Sequence, residues 1–141
     1  MSQEVEKLRK HIEELEAKDE SSEERIQVQH ILIAFEDTLG SKFLERSRDQ
    51  AEQLAAEVYE QLGDDADFDW LLKKHTDDSP PGIYTMLSEG TPNHRELVFL
   101  RGEMVPAFGN VGWRLEGGEI GVAPHDPTTS PFGWHIVKRL E

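Results

Sequence analysis

Two apolar runs near opposite ends of the chain constrain the fold most, and each carries a histidine in its middle. In "VQHILIAF" (28–35), Val28, His30, Leu32 and Ala34 share one face by period-two alternation. In "GWHIVKRL" (133–140), His135 and Val137 share one face, while Trp134, Ile136 and Leu140 share the other. Both runs read as buried strands. A core-facing strand position is an expensive place for a titratable ring, so His30 and His135 stand out as candidates for a role beyond packing.

Between the two runs the hydrophobic period changes. After a polar loop, "EDTLGSK", with a turn glycine at Gly40, a helix is predicted over roughly 44–62. Ala51, Leu54, Ala55, Val58 and Leu62 make one apolar face there. Asp67 is placed to cap a short helix "FDWLLKKH" (68–75) with Phe68, Leu71 and Leu72 inward. The adjacent prolines of "TDDSPPG" (76–82) enforce an irregular segment. A strand "IYTML" (83–87), a loop "SEGTPNHRE" (88–96), the stretch "LVFLRGEM", a helix around "VPAFGNVGWRL" and the turn "EGGE" follow. The short strand "IGVA", the loop "PHDPTTSP" and the final strand close the chain. The order β-α-α-β-α-β-β predicts an α+β domain with a small antiparallel sheet.

Residues 1–25 form a separate charged segment ahead of a domain at 26–141. Val5, Leu8, Ile12 and Leu15 make a narrow apolar stripe on an otherwise charged helix, and "DESSEE" (19–24) reads as its end and a linker. Two heptads are too few for an isolated coiled coil, so the stripe is expected to pack on the main domain or on a second copy by self-association.

The chain has 141 residues, one domain's worth, and no cysteine, which excludes disulfides and thiolate chemistry. Asp and Glu outnumber Lys and Arg by 29 to 15, for a formal charge of −14. Such a surface repels phosphate backbones and anionic lipid, so neither nucleic acid nor membrane is an expected partner. No run approaches the length of a membrane span and no signal peptide is visible, so the expected compartment is the cytoplasm. No HExxH or comparable ligand spacing arranges the six histidines for a metal.

Six stretches, in order and well spaced, resemble the parvulin-type peptidyl-prolyl cis/trans isomerases: "QHILI" (29–33), "SRDQAEQLAAEVYEQL" (47–62), "DFDWLLKKHTDDS" (67–79), "RGEMVPAF" (101–108), "LEGGEIG" (115–121) and "FGWHIVKRLE" (132–141). The resemblance implies a four-stranded antiparallel sheet surrounded by helices, here with the N-terminal helix added. One departure stands out. The glycine-rich "GGDLG" strand of these proteins is replaced either by "GIYTML", with an insertion after it, or by "RELVF"; the position of Gly82 favours the first.

The implied reaction twists a prolyl peptide bond over a barrier of about 18–20 kcal/mol. No bond is made or broken, so no nucleophile, metal or cofactor is required. The need is an apolar slot for the proline ring and surroundings that favour the twisted amide, where about 5 kcal/mol gives roughly 10⁴-fold acceleration. The resemblance assigns the slot to Met104 and Phe108, and substrate contacts also to Tyr84, Thr76 and Ser130. It assigns His30 and His135 to a side-by-side pair on neighbouring strands, with Ser130 beside their network. Asp78, with Asp77 as the alternative, would disfavour charge on the amide oxygen and so favour the less conjugated, twisted form. The phosphate-reading basic cluster found after the first strand of phospho-selective members is absent: Ala34, Glu36 and Asp37 stand there. The expected partners are proline-containing peptides or proteins, without selectivity for phosphoserine. A catalytically weak binding module or holdase chaperone on the same fold is the alternative. The N-terminal helix, outside the resemblance, is expected to pack away from the Met104–Phe108 pocket.

Overall fold

The computed structural model describes residues 2–36, 38, 45–64, 66–78, 80–88 and 99–141. Along the chain run α1 (Gln3–Glu16), β1 (Arg25–Ile33), α2 (Arg48–Gly63), α3 (Phe68–His75), β2 (Ile83–Leu87), β3 (Phe99–Leu100), a 3₁₀ turn (Arg101–Glu103), α4 (Pro106–Gly112), β4 (Ile120–Ala123) and β5 (Trp134–Arg139). Local chemistry sets several of these limits. Ser47 and Gln50 form a reciprocal capping box that starts α2, and the Asp67 carboxylate accepts from Trp70 N to start α3. Pro106, which has no N–H to lose, opens α4.

The strands form one sheet in the order β3-β2-β1-β5-β4. The two histidine-bearing strands are central neighbours and antiparallel, with His30 opposite Val137 and Leu32 opposite His135. Each face of the sheet has its own core. Ile31, Ile33, Val122, Trp134 and Ile136 pack with α1, α2 and α3, whereas Ile26, Val28, Met86 and Val137 pack with Ala107, Phe108 and Val111 of α4. His30 and His135 lie on the α4 face.

The α+β class holds, with two differences in the sheet. It has five strands among the described residues where four were expected, and β3 runs parallel to β2. β3 is only two residues long, too short for alternation to show in the sequence, and its parallel pairing is long-range. The helix expected over roughly 44–62 begins at Arg48, where its cap places it. The strand beside β1 is Ile83–Leu87, which settles "GIYTML" over "RELVF" as the β1 neighbour. Gly40, Asp37 and residues 89–98 lie outside the described residues.

The four stripe residues of α1 are buried against their own chain. The helix crosses α2 and the outer strand β4, and Arg9 grips Glu52 of α2 through two hydrogen bonds of 2.9 and 2.6 Å. Leu15 sits on Gly121 so closely that a Cβ there would lie 2.7 Å from its Cδ2. The His11 Nε2 lone pair accepts from Val122 N on β4 at 3.2 Å. Burial holds the His11 pKa below its usual value, in keeping with a neutral acceptor. No described helix is long and apolar enough to cross a membrane.

Candidate active site

On the α4 face a cavity of about 340 Å³ opens over the centre of the sheet. Leu32, Tyr84, Met104, Val105, Phe108 and Phe132 supply its apolar lining, and His30, His135, Asp77, Asp78 and Glu103 its polar edge. Among the described residues no lysine or arginine lines it. Its elements are set by local chemistry. The 3₁₀ turn and the start of α4 carry Met104 and Phe108 onto one wall, and the Glu103 carboxylate braces the turn by accepting from Leu100 N at 2.7 Å. Gly82, at φ +64°, donates no side chain to the site for a physical reason. Its carbonyl accepts from His30 N at 3.0 Å, and a Cβ there would sit 2.8 Å from the His30 carbonyl oxygen.

The two imidazoles form the floor. His30 Nδ1 lies 3.2 Å from His135 Nδ1, and His30 Nε2 lies 3.2 Å from Asp78 Oδ2. The Phe108 ring stands edge-on to both, with centroids at 4.6 Å from His30 and 5.0 Å from His135, and stacks on Tyr84 at 5.7 Å. An ionised carboxylate only accepts, so Asp78 takes the proton of His30 Nε2. With one proton on the His30 ring its Nδ1 is a lone pair, and His135 Nδ1–H donates to it. This tautomer assignment, which follows from the bonding pattern, leaves His135 Nε2 unprotonated. That atom is buried and without a hydrogen-bond partner. Burial above all, together with His30, pushes the His135 pKa down to about 3, and Asp78 offsets only part of this. The ring is neutral at physiological pH. The chain Asp78–His30–His135 is therefore a polarised, hydrogen-bonded run that ends in a neutral His135 ring. Burial and the Asp78 charge also push the Tyr84 phenol up.

The other expected residues fall in different places. Asp77 lines the rim but is engaged away from the imidazoles: its Oδ2 accepts from Ala34 N at 2.9 Å and from Arg46 at 2.8 Å. Thr76 is not part of the lining; its hydroxyl accepts from Leu32 N and Asp78 N, at 3.2 and 3.3 Å, and so shapes the loop that presents Asp78. Ser130 is likewise absent from the lining. Its buried hydroxyl donates to the Pro124 carbonyl, not to an imidazole. Both placements share a cause: a hydroxyl takes the nearest backbone partner, and backbone groups lie within reach of these two. Sequence reasoning missed Val105, Phe132, Leu32 and Glu103. Their neighbourhood in "QHILI", "RGEMVPAF" and "PFGWH" was the signal available. Among the described residues no three His, Asp or Glu side chains are grouped to hold a metal ion.

Comparison with known proteins bears on the family and the fold. The family model described as the PPIC-type PPIASE domain (rotamase) matches residues 30–141. Foldase protein PrsA of Oceanobacillus iheyensis is 30% identical over 127 residues, which are 89% of this chain and 33% of that protein. Chaperone SurA of Methylobacillus flagellatus is 30% identical over 115 residues, 81% of this chain and 22% of that protein. The chain thus spans about a third and about a fifth of these two curated relatives. Among solved structures, peptidyl-prolyl isomerase ESS1 from Candida albicans shares the fold, with a TM-score of 0.59 and 17% identity over 96% of this chain and 74% of its own. The chain belongs to the PPIC-type PPIase (rotamase) family, the parvulin-type peptidyl-prolyl isomerases.

Proposed function

We propose that this domain catalyses cis/trans isomerisation of Xaa-Pro bonds in peptides or proteins, without covalent chemistry and without selectivity for phosphoserine. One conjunction carries the reading: an apolar cavity with Met104 and Phe108 on its wall stands directly over a hydrogen-bonded His30–His135 floor, with Asp78 beside it. The apolar wall accommodates a proline ring at a hydrophobic gain. The fixed dipoles of the floor need no reorganisation as the amide twists. Twisting removes conjugation and hence negative charge from the carbonyl oxygen. The anionic Asp78 side chain therefore disfavours the planar amide more than the twisted one, which is the differential binding catalysis requires.

The rim supports the absence of phospho-selectivity. Among the described residues Asp77, Asp78 and Glu103 line the cavity and no lysine or arginine does; Asp77 is paired with Arg46, so a phosphate dianion beside the proline would meet the charges of Asp78 and Glu103. A protease-coupled isomerisation assay on a panel of Ala-Xaa-Pro-Phe peptides tests both statements. Turnover of neutral peptides is expected, with no gain for phosphoserine before proline. A marked preference for the phosphopeptide would remove the specificity reading. Inactivity of folded protein across the panel would remove the catalytic one. The names foldase and chaperone on the two curated relatives favour a second reading, a peptide-holding module on the same cavity. It predicts binding of proline peptides by the inactive protein.

A further inference from the structure

Residues 18–23 lie before the matched family region, yet they are fastened to the 3₁₀ turn and the end of α4, the elements that carry the cavity wall. Glu20 is the centre of this fastening. Its carboxylate accepts two hydrogen bonds from Arg101, Nη1 to Oε1 and Nη2 to Oε2, each 2.7 Å, and a third from Arg114 Nη1 at 3.2 Å. Arg101 also donates to Asn110 Oδ1 at 3.1 Å and lies over the Trp113 ring, 5.0 Å from its centroid. The rest of the linker is tied to the same unit. Arg114 Nε donates to the Lys18 carbonyl at 2.9 Å, Ser21 N to the Trp113 carbonyl at 2.7 Å, and Trp113 Nε1 to the Glu23 carbonyl at 2.8 Å.

The position of Arg101 gives these bonds their consequence. It opens the 3₁₀ turn Arg101–Glu103, which Met104 directly follows, and its side chain lies along α4 at Gly109, one residue after Phe108. The turn has only three residues and no internal helix to stiffen it. Two guanidinium groups converge on one carboxylate that is itself two-thirds covered, so each holds the other in place through Glu20. Bidentate pairing fixes orientation as well as distance.

We propose that Glu20 is a positioning residue for the proline pocket: it locks Arg101 against α4 and so sets where Met104 and Phe108 stand over the histidine floor. The inference rests on the isomerase reading of the cavity for its activity readout. It departs from the expectation that the N-terminal segment acts away from the pocket. α1 itself docks elsewhere, but the linker after it reaches the turn and helix that carry the wall.

The test compares Glu20→Ala and Glu20→Gln with Arg9→Ala in the full chain. Arg9→Ala cuts the α1–α2 ion pair and serves as a control for lost stability without contact to the wall. The chain has three methionines, so the ¹³C-methyl signal of Met104 is readily assigned. Glu20→Ala is expected to shift that signal and to raise KM for a proline tetrapeptide roughly three- to tenfold, with kcat changed less than about twofold. Glu20→Gln keeps one acceptor and removes the charge, so it should fall between wild type and Ala. Should Glu20→Ala fail to fold, Glu20→Gln carries the test. Arg9→Ala should lower the Tm while leaving KM and the Met104 signal at wild-type values. An unmoved Met104 signal and KM in the folded Glu20 variants would overturn the proposal. So would an equal KM change in Arg9→Ala. If the wild type turns over no peptide, the isomerase reading falls, and the Met104 signal alone still decides the positioning role.

Discussion

Protonating His135 means charging a ring that is 1% exposed and whose free nitrogen has no partner, which is why its pKa is held at about 3. In the unfolded chain the same ring titrates near about 6.5. Between those values the unfolded state binds the extra proton and the folded state does not. Stability is therefore unaffected by this group above about pH 6.5 and is lost as pH falls from there towards 3, at a slope approaching about 1.4 kcal/mol per pH unit. Thermal melts from pH 7 to pH 4 should show this fall, and it should be shallower in His135→Phe, which has no ring nitrogen to protonate. A slope unchanged by that substitution would show that the ring is not held neutral. His30→Ala removes the acceptor of His135 and the donor to Asp78, and should cost about 1–3 kcal/mol together with most turnover. Asp78→Asn, nearly the same shape, should spare stability and lower kcat. These residues were legible in the sequence because a polar ring on an apolar strand is conspicuous. The hydroxyls of Thr76 and Ser130 were not, since spacing does not say which backbone group a short side chain will reach.

At the scale of elements, α1 is the test of how an added helix joins a domain. Leu8 is completely buried between α1 and the core beneath α2. Leu8→Ala should cost about 2–5 kcal/mol, read as a lower Tm, with little change in KM because the helix does not line the cavity. A variant with wild-type Tm would mean that α1 is not docked as described. The stripe at Val5, Leu8, Ile12 and Leu15 announced burial, and periodicity with a cap announced α3 residue for residue. What the sequence withheld were arrangements made by distant partners. The parallel pairing of β3 and the grip of Glu20 on Arg101 join residues remote along the chain, and neither leaves a periodic trace.

For the whole molecule the balance of 29 acidic against 15 basic residues sets a long-range field, and the acidic cavity rim lies within it. A basic proline peptide should be captured faster than an acidic one at low salt. The advantage should shrink as ionic strength rises to about 0.15 M, where the screening length is roughly 8 Å. Stopped-flow association at two salt concentrations would check this, and equal rates for both peptides would refute it. The sheet order also leaves β4 on an outer edge, where Val122 N–H faces away from the other strands and is met by His11. An open edge is a template on which another extended chain can add itself, strand upon strand, towards aggregation. For a domain whose proposed substrates are proline-bearing chains, that would be a standing hazard. A helix laid across the edge, with an imidazole taking up its outward amide, lets such chains meet the cavity while denying them β4 as a nucleus.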